Sequence, residues 1–363
     1  MKNTLGTSVA VTLFGESHGT AIGAVLDGMA PGIPVDEAMI ATQMRRRQGA
    51  AELSTKRREP DAVRIVSGVF NGMTTGTPIT MLIENTNAHS ADYAKTADLA
   101  RPGHADYTAL CKYHGFSDGR GGGHFSGRIT AGLVAAGAIA LTALAGRGIR
   151  VGTHIAACAG IRDRAFLDLD ADLALLDSDG LAVLDPVKRE EIYSAIIAAR
   201  DEGDSVGGIL ETAVTGLPAG VGEPWFDTLE GVLSHALFSI PAVKGVEFGD
   251  GFALADMRGS AANDPFTAVG DSIRTVTNRA GGILGGISTG MPLILRTAVK
   301  PTPSIYREQA TVDLRTRENA ILAVKGRHDP CIVHRARVVQ DSVTALVLCD
   351  MLAQRFGTDW LRA

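Results

Sequence analysis

The order of strand-like and helix-like segments predicts an α+β fold with antiparallel sheets. Strand and helix patterns follow one another without the regular alternation that a doubly wound parallel sheet requires. Short glycine-rich turns join neighbouring strand patterns, as in hairpins. The longest apolar stretch, residues 129–145, is rich in alanine and glycine and is followed by Arg147 and Arg150. We therefore expect this stretch to be a buried core helix and not a membrane span.

The composition is that of an ordinary globular protein. The chain has 363 residues, of which 45% are hydrophobic and 21% are charged, and its net charge is −5. A negative chain of this size is not expected to bind polyanions over its whole surface. The four cysteines form no CxxC pair, which predicts free thiols in a reducing compartment. We see no signal peptide, and we expect a cytoplasmic protein that does not associate with membranes.

The first element is a strand–turn–strand unit. Apolar runs at 9–14 and 21–26 flank the string GESHG at residues 15–19. Glycines on both sides allow a sharp bend, and the turn places the hydroxyl of Ser17 beside the imidazole of His18. Histidine is the usual proton donor or acceptor near neutral pH. The turn is a candidate catalytic site, and a solvated loop is the alternative.

The elements that follow are predicted from the same patterns. Residues 36–47 have helical spacing with Asp36 as a cap, and strand-like runs at 63–70 and 79–83 suit a hairpin connection. Residues 162–186 are acidic and are expected at the surface, and residues 247–282 are expected to be irregular. The remaining predictions are strands at 151–159 and 207–215, helices at 186–200, 225–240 and 341–356, and a strand pair over 283–299 that turns at 288–290.

A basic cluster at residues 45–47 and 56–58 contrasts with the acidic whole. Positive charge concentrates anionic ligands, and guanidinium groups bind phosphate or carboxylate through two parallel hydrogen bonds. One alternative is a solvated helix end, where basic residues also favour the helix dipole. Another is an RNA-binding surface.

The glycine-rich segment 101–128 is too long for a passive connector, so we expect a functional loop. It contains His104 near Arg101, and it ends in the string GRGGGHFSGR at 119–128. A glycine-rich loop before a helix N-terminus is a natural anion cradle. Because Arg128 at the helix start opposes the macrodipole, we expect a bound phosphate or carboxylate beside it.

Two further polar segments lie near the C-terminal end. The string KPTPS at 300–304 is a proline-stiffened loop with hydroxyl groups, and KGRHDPC at 325–331 places Asp329 between basic groups, with Arg335 close behind. No His or Cys pair has compact ligand spacing, so we predict no metal site.

Taken together and in order, these strings resemble the chorismate synthase family, and the match runs over essentially the whole chain. The strings similar to that family's signatures are GESHG at 15–19, RREPD at 57–61, RPGHADYT at 101–108, HALFSIPAVKGVEFGDGF at 235–252, NRAGGILGGIS at 278–288 and KGRHDPC at 325–331. Six modest signatures in this order are very specific.

The resemblance implies a 1,4-trans elimination on 5-enolpyruvylshikimate 3-phosphate, in which phosphate leaves, a C6 proton is lost and chorismate forms. Reduced FMN is required without net redox change, because the cofactor carries the hard chemistry. The resemblance also implies a β-α-β sandwich of two antiparallel sheets around central helices, one domain over 1–363 with two lobes, and a homotetramer. We expect an external flavin reductase to supply reduced FMN, with NADPH as an indirect reductant.

By matching position, the resemblance implies four catalytic residues. His18 is the general acid for the leaving phosphate, and Ser17 beside it orients the substrate. His104 protonates the reduced flavin near N1, and the carboxylate of Asp329 works with flavin N5 in removing the C6 proton.

Binding residues follow from the resemblance in the same way. Arg46, Arg128 and Arg335 are implied to hold the phosphate and carboxylates of the substrate. The implied flavin-contacting residues are His124, Phe125, Ser126, Ala242, Gly285, Lys300, Pro301, Thr302, Pro303, Ser304 and Arg327. Many family members have arginine where this chain has His124, so His124 or backbone amides are expected to take over contacts made there.

Two other functions remain as alternatives. A flavin-dependent NAD(P)H oxidoreductase on the same fold would need a nicotinamide site, for which we find no strong signal. An RNA-binding protein using residues 45–58 would leave His18, His104 and Asp329 without a role, and an aromatic content of 5% argues against it.

Overall fold

Two antiparallel sheets lie on either side of a pair of long helices. The computed structural model describes residues 3–49, 53, 61–86, 98–178, 180–324 and 328–363. The helices are α1 (Glu37–Gln48), α2 (Asp106–Tyr113), α3 (Thr130–Gly146), α4 (Leu169–Leu176), α5 (Pro186–Asp201), α6 (Leu229–Leu237), α7 (Gly259–Ala262) and α8 (Val333–Phe356).

The strands form the two main sheets and several short hairpins. They are β1 (Thr4–Leu5), β2 (Ala10–Gly15), β3 (Ala21–Asp27), β4 (Val63–Ser67), β5 (Val69–Phe70), β6 (Met73–Thr74), β7 (Ile79–Glu84), β8 (Arg150–Cys158), β9 (Ile161–Arg162), β10 (Gly208–Thr215), β11 (Val243–Phe248), β12 (Phe266–Val269), β13 (Ser272–Thr275), β14 (Ile283–Leu284), β15 (Ile287–Ser288), β16 (Leu293–Val299), β17 (Gln309–Val312) and β18 (Asn319–Leu322). The first five-stranded sheet has the order β1-β2-β3-β7-β4, and the second has the order β11-β16-β10-β8-β9. Every pairing in both sheets is antiparallel.

The two long helices fill the space between the sheets. α3 packs against β3 and β7 of the first sheet, α8 packs against β8 and β10 of the second, and the helices contact each other. A Cβ atom added to Gly137 of α3 would lie 2.2 Å from the Cβ of Ser342 on α8, so glycine permits this close crossing. The predicted sandwich of two antiparallel sheets around central helices is confirmed.

The core role predicted for residues 129–145 is also confirmed. Among the described residues, Gly127–Gly146 is the one helical stretch long and apolar enough to cross a membrane, and 78% of its most apolar window is buried inside the fold. Its alanines and glycines allow the sheet and the second helix to approach closely from opposite sides.

Several segments differ from the sequence predictions, most of them because the sequence pattern hid regular structure. The loop predicted over 101–128 contains α2, and the last helix begins at Val333 and not at Asp341. The segment 162–186 is only partly at the surface. Its helix α4 is amphipathic and buries Leu173 and Leu176 in a small satellite core.

The prediction of a helix over 225–240 is too long. The helix begins after Thr228, whose hydroxyl accepts a hydrogen bond from the amide of Gly231 at 2.9 Å. The irregular segment predicted over 247–282 contains the hairpin β12–β13. The strand pair predicted over 283–299 is in fact a short hairpin, β14–β15, followed by β16, which pairs with β10 and β11.

A buried carboxylate near the end of α8 fixes the N-terminal segment. Asp350 is 4% exposed. It accepts hydrogen bonds from the backbone amides of Ser8 at 2.7 Å and Val9 at 2.9 Å, and from that of Thr7 at 3.1 Å. Since β2 begins at Ala10, this carboxylate holds the strand that leads into the GESHG turn.

We expect Asp350→Ala to lower the free energy of unfolding by about 2–4 kcal/mol, because it leaves several buried amides without an acceptor. Urea denaturation measures the change. The exposed Asp359, on the turn that follows α8, supplies the matched control Asp359→Ala. Equal stability of the two variants would show that the carboxylate does not anchor this segment.

Candidate active site

The GESHG turn lies at the edge between β2 and β3, and its polar side chains face inward. Gly15 pairs with Ile22, so the residues between them form the turn. Ser17 and His18 are only 5% and 7% exposed. A solvated loop would expose these side chains, so their burial argues against that alternative.

A glycine loop covers His18. Residues Gly121, Gly122 and Gly123 all have positive φ, at 59°, 85° and 54°. A Cβ atom on Gly121 would lie 1.9 Å from Cε1 of His18. Because an L side chain is strained at this φ and would also collide with the imidazole, only glycine fits here.

Hydrogen bonds join the glycine loop to the GESHG turn. The amide of Ser17 donates to the carbonyl of Gly123 at 3.1 Å. Nδ1 of His124 lies 2.7 Å from the carbonyl oxygen of Gly15. The imidazole of His124 therefore holds the GESHG turn in place, and its Nδ1 has a partner within the chain.

A buried ion-pair network lies beneath the loop. The carboxylate of Asp61 is paired with Arg47 at 3.3 Å and with Arg128 through its other oxygen. The three residues are 5%, 4% and 9% exposed, respectively. The positive charge of Arg128 at the helix start is therefore offset by a carboxylate of the chain itself. The bound phosphate or carboxylate expected beside Arg128 stays a prediction.

Arg128 also connects this network to the GESHG turn. Its Nε donates to Oδ1 of Asn85 at 3.1 Å. The amide group of Asn85 in turn donates to the carbonyls of Glu16 at 3.0 Å and Gly19 at 2.9 Å. The network therefore fixes the backbone on both sides of Ser17 and His18.

A second carboxylate, that of Asp329, lies just before α8 and is held by Arg335 in the first turn of that helix. Nη1 of Arg335 donates to the carboxylate of Asp329, and Nε donates to the backbone carbonyl of Arg47 at 3.0 Å. Since the same Arg47 pairs with Asp61, the Asp329–Arg335 pair adjoins the network beneath the glycine loop.

His104 lies where several loops meet. Its Nε2 is 2.7 Å from the hydroxyl oxygen of Ser304. Nζ of Lys300 donates to the carbonyl of Gly103 at 2.7 Å, and the Lys300 amide donates to the carbonyl of Ala242 at 3.0 Å. Segments distant in sequence are thereby joined around one imidazole.

Arg101 sets the charge around that imidazole. It pairs with Asp106 at 2.7 Å, and its Nη2 lies 4.0 Å from where a Cβ on Gly122 would be. Burial, and after it the positive charge of Arg101, lower the pKa of His104 to about 4. The same two causes lower the pKa of His328. Both imidazoles are therefore neutral at neutral pH.

We expect the ring resonances of His104 to stay unchanged between pH 8 and about pH 5 in an NMR titration, because its pKa is about 4. Since an unfolded chain would protonate this histidine near its ordinary pKa of 6.5, the stability contributed by the neutral form is lost as the pH falls from 6.5 towards 4. Arg101→Gln should raise the pKa of His104. A midpoint near 6.5 in the wild-type protein would contradict this prediction.

Comparison with known proteins decides the family. The family model described as chorismate synthase matches residues 9–353. The chain belongs to the chorismate synthase family. A relative named chorismate synthase from Dehalococcoides mccartyi is 50% identical over 359 residues, which cover 98% of each chain. One of the same name from Methanosarcina mazei is 48% identical over 349 residues, covering 96% of this chain and 95% of its own.

A solved structure supports the fold assignment independently. A crystal structure of chorismate synthase superposes with a TM-score of 0.77 at 29% sequence identity, and the match covers 98% of this chain and 94% of the other. The chain is thus a member of this lyase family. The predicted fold and the predicted family are both confirmed.

Most of the residues suggested by the chorismate synthase resemblance meet in the region described above. Phe125 packs edge to face on Tyr113 at 6.0 Å, and Ser126 accepts a hydrogen bond from the Arg128 amide at 3.2 Å. The carbonyl of Thr302 accepts from Ser205 at 2.6 Å, which fixes the proline loop of residues 301–303.

Two of the suggested residues make their described contacts away from the GESHG turn of this chorismate synthase fold. Arg46 directs its guanidinium to the backbone and carboxylate of Asp177, whereas its neighbour Arg47 reaches the buried network. Gly285 is the turn of the hairpin β14–β15, and the next residue, Gly286, packs on Thr228 before α6. Arg327 and the basic residues 56–58 lie outside the described residues.

Sequence reasoning missed the two polar residues that organise this chorismate synthase site. Asp61 ends the string RREPD, where an acidic residue next to a basic cluster gave a signal of pairing. Asn85 follows β7 and had no signal, because its role depends on contacts with a turn far away in sequence. Within the described part of the chain, no group of three or more His, Cys, Asp or Glu side chains could hold a metal ion.

Proposed function

We propose that this chain converts 5-enolpyruvylshikimate 3-phosphate to chorismate by 1,4-trans elimination of phosphate. One observation carries the proposal: contacts between successive residues link every candidate catalytic group. One set runs from His18 to the glycine loop, which lies close to the guanidinium of Arg101. The carbonyl of Arg101 accepts a hydrogen bond from the His104 amide at 3.1 Å, and His104 contacts Ser304. A second set runs from the GESHG turn through Asn85, Arg128, Asp61 and Arg47 to Arg335 and Asp329.

His18 is suited to donate a proton to the departing phosphate. Its ring is buried under Gly121, which excludes water from one face and holds the ring in one position. The hydroxyl of the equally buried Ser17 lies beside it and supplies a hydrogen bond that orients the substrate.

Asp329 is suited to take part in removal of the C6 proton. Its carboxylate is held by Arg335, and the same guanidinium is fixed by the carbonyl of Arg47. A carboxylate held in one orientation loses little entropy on meeting the substrate. The positive charge of Arg335 is also available to a carboxylate of the substrate.

The family implies a reduced flavin, and the residues around His104 fit one. The cation of Lys300, the hydroxyl of Ser304 and the neutral imidazole of His104 meet there. Ala242, at a positive φ of 75°, adjoins them, because its carbonyl accepts a hydrogen bond from the Lys300 amide at 3.0 Å. When bound, reduced flavin supplies transient electron donation that eases the loss of phosphate. The chain's part is to hold the ring by hydrogen bonds and to keep a neutral imidazole beside it.

We propose further that the flavin is FMN, that an external reductase supplies it in reduced form with NADPH as the indirect reductant, and that the enzyme is a cytoplasmic homotetramer. Large apolar side chains support self-association: Phe226, Phe252 and Ile273 are 94%, 84% and 72% exposed. Native mass spectrometry tests the tetramer, and a monomer at micromolar concentration would refute it.

The deciding experiment is an anaerobic assay with 5-enolpyruvylshikimate 3-phosphate and chemically reduced FMN. Chorismate absorbance and phosphate release are followed together with the oxidation state of the flavin. Equal amounts of both products, with no net flavin oxidation, establish the proposed reaction. Stoichiometric consumption of NAD(P)H would instead support the oxidoreductase alternative, which family membership does not favour.

We expect Asp329→Asn to lower turnover about 10²-fold or more, because it removes a proton-transfer group while keeping its volume. Stopped-flow absorbance of chorismate under anaerobic conditions measures the effect. The control is Asp201→Asn at a carboxylate whose side chain is 63% exposed at the end of α5. Turnover near that of the wild type would remove Asp329 from the proposed mechanism.

A further inference from the structure

Two buried cysteines lie against each other where the end of β8 meets the segment before α8. The sulfur atoms of Cys158 and Cys331 are 3.7 Å apart. Cys158 is the last residue of β8, and Cys331 lies two residues before α8. Their exposed fractions are 1% and 0%. The proposed reaction does not use either thiol, yet the pair adjoins the segment that carries Asp329.

Backbone hydrogen bonds hold the two cysteines side by side. Cys158 lies opposite Gly208 in the pairing of β8 with β10. The amide of Val206, two residues before β10, donates to the carbonyl of Pro330 at 2.8 Å. One short segment of the chain therefore positions both cysteines, so their proximity does not depend on side-chain orientation alone.

The two thiols differ in acidity because one donates a hydrogen bond to the other. That hydrogen bond, from Cys158, is the largest cause of the lowered pKa of Cys331, and burial opposes it. The same hydrogen bond raises the pKa of Cys158. Since a thiolate is the nucleophile in thiol oxidation, Cys331 is the group that reacts first with a peroxide. Cys158 is then in place to react second.

We propose that hydrogen peroxide converts Cys158 and Cys331 to a reversible disulfide, and that this bond switches off the reaction proposed above. The first part of the inference is independent of the proposed function, and the second part rests on it. In a reducing compartment, a disulfide of this kind is a transient, redox-sensing one, in keeping with the free thiols of the resting chain.

The oxidation takes place in two balanced steps. The Cys331 thiolate attacks one oxygen of the peroxide, so that an S–O bond forms, the O–O bond breaks and hydroxide leaves. The Cys158 sulfur then attacks the sulfur of this sulfenic acid, so that the S–S bond forms and the S–O bond breaks. The thiols lose two electrons and two protons in total, and the peroxide becomes two water molecules.

A small oxidant has only a short distance to travel to the pair. Ala159 and Gly160 follow Cys158 directly and form an exposed turn. Local opening of a surface turn costs much less free energy than global unfolding, so peroxide reaches the thiols without unfolding the core. Cys349 is a contrasting buried thiol: it donates to the carbonyl of Ala140 at 3.6 Å, and burial raises its pKa. It is expected to stay reduced.

The disulfide acts on the candidate site through Asp329. A disulfide bond is about 2.05 Å long, so the two sulfurs must approach each other by roughly 1.7 Å. Pro330 lies between Cys331 and Asp329, and its ring fixes one backbone torsion, so a movement of Cys331 is transmitted to Asp329. A misplacement of about 1 Å in a reacting group lowers turnover about 10²-fold.

The experiment titrates the full chain with hydrogen peroxide, removes the excess with catalase and divides each sample. One half is alkylated under denaturing conditions, and mass spectrometry quantifies the peptide pair joined through Cys158 and Cys331. The other half is assayed anaerobically with photochemically reduced FMN and without added thiol, and its cross-link is measured again afterwards. Turnover should fall in proportion to the cross-link, to about 10²-fold below the reduced protein, and dithiothreitol should restore it.

Two variants and one native thiol serve as controls. Cys158→Ser keeps a group that donates a hydrogen bond to Cys331 but cannot form the disulfide, so its oxidation should stop at Cys331, which dimedone then labels. Cys111→Ser removes the exposed thiol on α2 and should behave like the wild type throughout. Cys349 should remain free in every sample.

Three results would overturn the proposal: no joined peptide pair at a peroxide concentration that oxidises Cys111, a complete cross-link with the turnover of the reduced protein, or lost turnover without the cross-link. If the reduced chain makes no chorismate, the proposed function fails and the second part of the inference fails with it, whereas the peptide map still decides the first part. Because the wild-type measurements need no variant, misfolding of Cys158→Ser would not change the outcome.

Discussion

His18→Ala is expected to fold normally and to lose about 10²-fold or more of its turnover, the usual effect of removing a group that transfers a proton to the leaving group. The reason is that phosphate is a poor leaving group when it departs as a fully charged anion, and without His18 the site lacks the proposed proton donor. Anaerobic single-turnover measurements with reduced FMN report the chemical step directly, and circular dichroism reports the fold.

The matched control for this prediction is His235→Ala, which removes an exposed imidazole from the last turn of α6. A companion variant, Gly121→Ala, leaves His18 in place but puts a methyl group where the imidazole lies. It should lower turnover in the same direction. If His18→Ala kept wild-type turnover while Gly121→Ala lost it, the glycine loop and not the imidazole would be the catalytic requirement.

Asp61→Asn is expected to destabilise the protein by about 3–5 kcal/mol, because it leaves two buried guanidinium groups without their carboxylate. Arg47 and Arg128 are 4% and 9% exposed, so water cannot replace the lost partner. Chemical denaturation measures the change in the free energy of unfolding. Turnover should fall as well, since Arg128 holds the GESHG turn through Asn85.

An exposed ion pair gives the matched control for this second prediction. Asp170 has 89% of its side chain exposed and pairs with Arg150 at 3.3 Å. Asp170→Asn should leave the free energy of unfolding near that of the wild type, because surface pairs contribute little. A similar loss in both variants would mean that burial does not distinguish the two pairs.

Sequence patterns predicted the elements that local rules determine. The strand–turn–strand unit around GESHG, the hairpin of β4 and β7, and the core helix α3 all depend on periodicity and glycine placement, and all are present. The start of α8 was missed because His334, Arg335 and Arg337 interrupt its apolar pattern. These residues face polar neighbours in the interior, a tertiary effect that periodicity does not report.

The residues of the candidate site also fall into two groups: those that the sequence indicates and those that only the packing determines. His18, His104 and Asp329 stand out because their residue types sit in distinctive glycine or proline turns. The direction of Arg46 and Arg47 could not be predicted, since both belong to one basic run and only packing decides which one turns inward. For Arg128, the residue that offsets its charge lies in a different string of the sequence.

The close crossing of α3 and α8 at Gly137 and Ser342 determines the distance between the two halves of the candidate site. One half of the candidate site stands on the first sheet, which carries the GESHG turn, and the other stands on the start of α8, which carries Arg335. The proposed proton donor His18 and the proposed carboxylate Asp329 therefore belong to two halves of the fold whose spacing depends on the absence of a side chain at Gly137. A substitution in the GESHG turn or near Arg335 changes one half of the site locally. A side chain at Gly137 would push α3 and α8 apart and displace both halves together.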